Sequence, residues 1–514
     1  MEQAPQETRQ QPRIAIIGSG FAGLGLAIRL KLAGYDDFTI YEKAGALGGT
    51  WRDNTYPGAC CDVRAFNYCY SFEQKTDWSA HWVPWDEILA YMNHCADKYE
   101  VRSHIRFGTP IAAARYDEST AVWTLKTAAG ETIDADFLIT GTGQLNRPFV
   151  PEIEGADGFA GRAFHSAAWD HDFDYAGKKV AVIGNAASAI QFIPHLARSA
   201  AEVNIFQRSA NWIIPRGNRP FSEGAKRLLG RSRLLAKLYR AAIWSYYEGL
   251  MYPIIRGVPG FTHYIRRLAR RALAEVDDPA LRAKLVPDYP IGGKRVLVSD
   301  NYYKTLNRDN VHVVDAGIER ISERGIVTRE GNEIQADLIV YGTGFRSTEF
   351  LAPMHIVGRR GVSLEEQWQR NGSEAYLGTV VPGFPNFFTM YGPGSNLGHN
   401  SIIFMFECQI RYILASIELV ARTNSRSIEV TAAACEEFNR RLQKKLASAV
   451  WAKLDHSWYI SGGKIVNNWG GSTVSYWWRT RNVDRDHFVL EPRQRPERTR
   501  QPERANAGKA SIVG

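Results

Sequence analysis

Cysteine is scarce in this chain. Six occur in 514 residues, Cys60, Cys61, Cys69, Cys95, Cys408 and Cys435, and no two form a CxxC pair. That spacing excludes a zinc knuckle and a redox-active dithiol, so no metal ligand set is expected. Cys60 and Cys61 are neighbours, and vicinal cysteines rarely bridge because the disulfide geometry is strained. Six free thiols fit a reducing compartment, so the expected location is the cytoplasm. No apolar run reaches the length of about 18 residues that a membrane-spanning helix needs. The opening MEQAPQETRQQPR has no apolar stretch of the kind a secretory signal carries.

Charge of one sign does not dominate either. Lys+Arg is 63 and Asp+Glu is 54, a net +9. Apolar residues at 45% and charged residues at 23% exclude a largely disordered or fibrous chain. The positive excess is local. Residues 221–284 hold 13 Lys/Arg against 5 Asp/Glu, and residues 491–514 hold 6 against 3. The remainder is nearly balanced, so no nucleic-acid partner is expected.

What the chain does have is two β-α-β units. Ile14–Ile17 is a short apolar run, as in a parallel strand buried on both faces. Gly18-Ser19-Gly20-Phe21-Ala22-Gly23 follows, then a helical stretch 24–32 and a strand 38–41 ending at Glu42. The second copy is strand 179–183, turn Gly184-Asn185-Ala186-Ala187-Ser188-Ala189, helix 190–197 and strand 203–206, ending near Arg208. Two such units predict two bound dinucleotides on an α/β fold with two Rossmann-like domains.

The first turn is complete. Gly18 permits the tight turn, Gly20 lets backbone approach a pyrophosphate, and Gly23 lets helix meet strand. The helix N-terminus offers unpaired N–H groups to the phosphates, and Glu42 is placed to accept from ribose hydroxyls. In the second turn Ala186 replaces the middle glycine and Ala189 the last, which predicts looser binding. Arg208-Ser209 stands where an NAD enzyme would carry an acid, and arginine there pairs with a 2′-phosphate, favouring NADP.

The expected boundaries are a disordered lead 1–11, a first domain 12–150 and a second domain 151–220. A helical, basic insertion 221–284 interrupts the second domain, which resumes over 285–335. The chain then returns to the first domain over 336–490, with the substrate region, and ends in a disordered tail 491–514. The glycine segments after 137–140 and 338–341 are read as each half's return beside its nucleotide, the second marking re-entry into the first domain.

Two further segments carry a resemblance. Gly48-Gly49-Thr50-Trp51-Arg52-Asp53-Asn54-Thr55-Tyr56-Pro57-Gly58-Ala59-Cys60-Cys61-Asp62 resembles the GGxWxxxxYPGxxxD fingerprint of Baeyer–Villiger monooxygenases. Residues 159–170, FAGRAFHSAAWD, resemble their FxGxxxHxxxW(P/D) fingerprint. The resemblance runs from about Arg13 to about Leu490. It implies an FAD domain, an NADP domain and an active site between them. It implies a reaction in which NADPH reduces the flavin, dioxygen forms a C4a-peroxyflavin, and an apolar ketone becomes an ester or lactone. The alternative on the same scaffold is oxygenation of nitrogen or sulfur, as with a sulfide substrate, or hydroxylation of long-chain substrates. A flavin disulfide reductase is excluded by the missing cysteine pair.

Residue roles follow from the same resemblance. Arg295 matches the active-site arginine and Asp62 the acid that orients it. Thr50, Trp51, Tyr68 and Gln144 match flavin-side positions, and Ile111 offers backbone to the adenine. Asn185, Ala186, Ala187, Ser188, Ala189, Ile190 and Gln191 match the NADP pyrophosphate turn. Lys294, Arg208 and Ser209 match the 2′-phosphate contacts. His165 is expected to position the domains and not to act as a base. Departures occur near the C-terminus, at 398–402 and 469–473. There the aromatic set Trp451, Trp458, Tyr459, Trp469, Tyr476, Trp477 and Trp478 fits a pocket lid and ordinary core equally well. A solvated helical cap is favoured over membrane contact for 221–284. Oligomeric state is not encoded in these motifs.

Overall fold

The computed structural model describes residues 11–454 and 459–493; the lead 1–10, the segment with Trp458 and the tail from 494 lie outside them. Two five-stranded, all-parallel sheets organise the chain. The first runs Phe387–Thr389, Phe137–Thr140, Ile14–Ile17, Phe38–Tyr41, Ile105–Arg106. Its central strand is buried throughout, which is why the sequence there is unbroken Ile-Ala-Ile-Ile. The second runs Val311–Val314, Glu202–Phe206, Lys179–Ile183, Leu338–Tyr341, Arg162–His165.

That order corrects one expectation. Leu338–Tyr341 lies in the second sheet, between Lys179–Ile183 and Arg162–His165. The chain therefore re-enters the first domain later, with His355–Val357 beside Ile111–Asp117 and Phe387–Thr389 beside Phe137–Thr140. An apolar parallel strand with a following glycine turn looks the same in either sheet, so its local sequence could not assign it. The two connections cross side by side. Phe149 N–H donates to Gly344 O, Arg346 N–H donates to Arg147 O, and Pro148 bridges Phe345.

Both expected ends also shift. Gln11 is tied down: its amide donates to Gly34 O and accepts from Asp36 N–H. Phe488–Pro492 pairs antiparallel with Ser425–Val430, and Glu491 meets Arg359 at 2.8 Å and also Arg426. Strand pairing thus carries order past the compositional change at residue 491.

The insertion is helical as expected, with helices Glu223–Arg231, Arg233–Tyr246, Pro259–Leu273 and Pro279–Lys284. Ser222 and Ser232 each cap the helix that follows by accepting from the N–H three residues on. Its base is pinned by the parallel pair Ile213–Ile214 and Leu297–Val298. Of the C-terminal aromatics, Trp451, Tyr459, Trp469 and Tyr476 are buried in the core that also holds helix Ile402–Arg422. Core, not lid, is the outcome for these four. Among the described residues no helix is long and apolar enough to cross a membrane.

Candidate active site

The two glycine turns open onto one cavity of about 740 Å³. Gly18, Gly20, Glu42, Thr50, Trp51, Asp62, Tyr68, Ile111 and Gln144 line it from the first domain. Ala186, Ala187, Ser188, Gln191, Lys294 and Arg295 line it from the second. Gly23, Asn185, Ala189, Ile190, Arg208 and Ser209 are not in its wall. Ala189 and Ile190 are buried in the second domain's core, and Ala189 Cβ packs against Gly342.

The first turn is shaped for a pyrophosphate. Helix Phe21–Leu32 begins at Gly20 with no side-chain cap, leaving its first N–H groups and positive dipole end for an anion. A Cβ at Gly23 would lie 1.9 Å from Gly18 O, so that glycine is a matter of folding. A Cβ at Gly20 would meet nothing closer than Gly49 Cα at 3.9 Å, so that glycine keeps space open beside the cavity. Gln144 Nε2 donates to Tyr391 O at 2.8 Å, while its Oε1 is buried without a partner. An uncapped helix start, an open glycine and an orphaned amide oxygen on one wall fit FAD.

Glu42 is more committed than its position alone indicates. Its Oε2 accepts from Ser19 N–H and Ser19 Oγ–H at 2.9 and 2.7 Å. Its Oε1 accepts from Ala44 N–H and from Arg52, both at 3.0 Å. Burial raises the Glu42 carboxyl, but these donors outweigh it and hold it below the ordinary glutamate value. Ser19 and Arg52 were missed as site residues, although both sit inside quoted motifs.

Asp62 and Arg295 come from different domains and meet in the cavity wall. Arg295 Nε lies 2.7 Å from Asp62 Oδ2, and Arg295 Nη2 donates to Asp62 Oδ1 at 3.0 Å. This fork-to-carboxylate geometry fixes the guanidinium plane. Asp62 raises the Arg295 value further above the ordinary arginine range, so the group is a permanent cation. The segment that carries Arg295 is tied down on both sides. Gly293 N–H donates to Pro290 O and Trp212 Nε1 to Tyr289 O at 3.0 Å before it, and strand Leu297–Val298 begins two residues after it.

Lys294 points the other way. Its Nζ donates to Ser209 Oγ at 3.1 Å and sits over the Tyr289 ring. Burial, and then the charge of Arg208, lower its value. Two cations and a hydroxyl therefore share one spot beside the second turn, an arrangement that fits a phosphate. Asn185 Nδ2 donates to Gln207 Oε1 at 2.8 Å and to Ser209 O at 3.1 Å, tying that spot to the turn.

Gln191 lines the cavity and its amide also spans the two domains. Its Oε1 accepts from Tyr56 Oη–H and Cys60 N–H at 3.0 and 3.2 Å, and its Nε2 donates to Cys60 O at 3.0 Å. The amide is spent joining the fingerprint loop of one domain to the first helix of the other. A Cβ at Gly58 would lie 2.6 Å from His195 Nε2, which explains a glycine in that loop. Trp51 Nε1 donates to Tyr68 Oη at 3.2 Å in the cavity wall.

His165 behaves as a strut. Its Nδ1 accepts from Ala167 N–H at 3.0 Å, so the proton lies on Nε2, which donates to Gly344 O at 2.9 Å. Gly344 belongs to one of the two crossing connections, so the imidazole links the second sheet to that connection. Burial lowers the His165 value, and also those of His195 and His81. These histidines take up a proton more readily when unfolded, so the unfolded state binds more protons below about pH 6.5. Stability is fully present above that range and falls as pH drops. Thermal unfolding should show a lower midpoint at about pH 5.5 than at about pH 7.5, and His165→Gln should reduce the difference. An unchanged midpoint would contradict the assignment.

Comparison with known proteins decides the family. A relative from Pseudomonas aeruginosa named Baeyer-Villiger monooxygenase is 40% identical over 482 residues, covering 93% of this chain and 91% of that one. One of the same name from Streptomyces coelicolor is 39% identical over 493 residues, covering 95% and 94%. The chain belongs to the Baeyer–Villiger monooxygenase family. A steroid monooxygenase bound to NADP superposes with a TM-score of 0.84 at 32% identity, over 94% of this chain and all of that one. The OTEMO complex with FAD and NADP does so at 0.83 and 28%, over the same shares. A family model described as pyridine nucleotide-disulphide oxidoreductase matches residues 15–221. That match reflects the shared dinucleotide fold, since Cys60 and Cys61 are free and burial pushes both thiols up. As a family member the chain is a flavoprotein monooxygenase that uses FAD and NADPH.

Proposed function

We propose that this enzyme inserts one oxygen atom beside the carbonyl of an apolar ketone, giving an ester or lactone. The observation that carries the reading is the Arg295–Asp62 fork, set in the wall of the cavity that both dinucleotide turns share. When bound, FAD supplies the redox chemistry, accepting hydride from NADPH and activating dioxygen. The protein's part is to place and charge the site. Arg295 offers a fixed cation to the negative charge that develops on oxygen during carbonyl attack. Asp62 keeps that cation aimed. Trp51 and Tyr68 with Gln144 bound the flavin side, and Ala186 to Ser188 bound the coenzyme side. The six free thiols support a cytoplasmic setting.

Coenzyme choice rests on Arg208, Lys294 and Ser209. A charge-assisted hydrogen bond contributes ~1.5–3 kcal/mol, or roughly 10- to 100-fold in binding. Arg208→Ala should raise the KM for NADPH by that factor and leave NADH nearly unchanged. Equal loss with both coenzymes would reject the 2′-phosphate contact.

The reaction itself is tested by product analysis on a panel of apolar ketones, sulfides and alkanes with NADPH. Esters or lactones are expected from ketones. Sulfoxides with no ester from any ketone would replace this reading with heteroatom oxygenation.

A further inference from the structure

Helix Arg233–Tyr246 carries large apolar residues on its outward face as well as its inward one. Its inward face is set by Ala236, Arg240 and Ile243, which are buried. Arg240 Nη1 donates to Phe66 O and Cys69 O, both at 2.8 Å, so a guanidinium anchors the protein side. The opposite face, at helical spacing, is then Leu234, Leu238, Ala241 and Ala242. Leu234 is 66% exposed and Leu238 57%, and Leu228 on the preceding helix is 58% exposed. At the far end of this helix Tyr246 is exposed, and the insertion continues into helix Pro259–Leu273. Phe261 and Tyr264 are exposed there as well.

The surroundings of this strip are basic. Arg231, Arg233 and Lys237 are exposed beside the leucines, and Arg266, Arg267 and Arg270 beside Phe261 and Tyr264. Among the acids of the insertion, Glu248 is turned inward, accepting from Thr473 N–H at 2.9 Å and Asn400 Nδ2 at 3.1 Å. Glu223 is paired with Lys226, and the exposed Glu275, Asp277 and Asp278 follow the C-terminal end of helix Pro259–Leu273, where Glu275 meets Lys304 and Asp278 caps the next helix. Water gains nothing from an outward leucine strip, and contiguous exposed apolar surface marks a contact site.

We propose that this face docks on an anionic lipid bilayer, with helix Arg233–Tyr246 lying in the plane of the interface. Leu234 and Leu238 would enter the acyl boundary, and the flanking arginines would meet acidic headgroups. A second copy of the chain fits less well. A two-fold contact would set this strongly positive patch against itself, and like charges across an interface repel. The docked face is also connected to the cavity. Trp244 O and Glu248 both accept from Asn400 Nδ2, and Asn400 lines the cavity wall. The inference does not depend on which substrate is oxygenated.

The test uses the purified full-length holoenzyme and sedimentation with vesicles. One set is phosphatidylcholine alone, the other phosphatidylcholine with phosphatidylglycerol. Recovery with the anionic set should exceed the neutral set by roughly tenfold and fall at high salt. Leu234→Glu with Leu238→Glu should abolish it while thermal unfolding and NADPH oxidation stay unchanged. Arg233→Glu with Lys237→Glu provides a second, fold-neutral variant with the same expected loss. Equal recovery with both vesicle types, or none with either, would overturn the proposal. So would a dimer in size-exclusion chromatography that Leu238→Glu dissolves, which would assign the face to a second copy.

Discussion

Arg295→Ala is expected to retain FAD, to remain reducible by NADPH, and to lose its oxygenated product. The guanidinium sits in the cavity wall, and its Nε and Nη2 are taken by Asp62. Its positive charge is needed when negative charge develops on oxygen, which follows hydride transfer. Removing one such stabilising group typically costs ~2.7–4 kcal/mol, or roughly 10²–10³ in rate. NADPH consumption should continue and be diverted to hydrogen peroxide. Arg295→Lys keeps the charge but cannot reproduce the planar two-point contact, so only partial recovery is expected. Asp62→Ala should show the same uncoupling more weakly, because the cation stays and only its aim is lost. Stopped-flow absorbance with product quantification separates reduction from oxygenation. Near wild-type product with normal coupling in Arg295→Ala would remove the residue from the mechanism.

Gly20→Val should yield folded protein with little FAD. A Cβ at Gly20 meets no protein atom closer than 3.9 Å and the residue lines the cavity, so a branched side chain there is aimed at the place of the pyrophosphate. Gly23→Ala provides the contrast. Its Cβ would lie 1.9 Å from Gly18 O, so that variant should fail to fold stably. Flavin absorbance against protein absorbance, with a thermal unfolding curve, distinguishes the two. A fully yellow Gly20→Val protein would show that Gly18–Gly23 is not the FAD turn.

Much of the scaffold was legible because it is local. A buried parallel strand must be apolar throughout, and a pyrophosphate turn must be small, so Ile14–Gly23 and Lys179–Ala189 declare themselves in ten and eleven residues. The partner of a strand is not local. Leu338–Tyr341 reads like Phe137–Thr140, and only sheet order separates them. Site residues follow the same rule. Asp62 and Arg295 are 233 positions apart, and nothing in either segment says that they touch; the resemblance did. Gln191 shows a use that its motif does not announce. Its place in the coenzyme turn says nothing of its amide, whose two ends engage Cys60 and Tyr56 while the residue lines the cavity. A side chain long enough to cross the domain junction can serve the junction. Glu248 was passed over because one acid in a basic helical insertion reads as surface, whereas a π-helical turn over Tyr247–Met251 swings it in toward Asn400 and Thr473.

The most direct test of the central claim is oxygen labelling with stoichiometry. A ketone converted by the panel assay is incubated with NADPH under ¹⁸O₂, and product and coenzyme are measured together. The account predicts an ester or lactone carrying one ¹⁸O atom, with one NADPH consumed for each. A product without label, or NADPH oxidised with hydrogen peroxide as the sole oxygen product across every ketone, would contradict it.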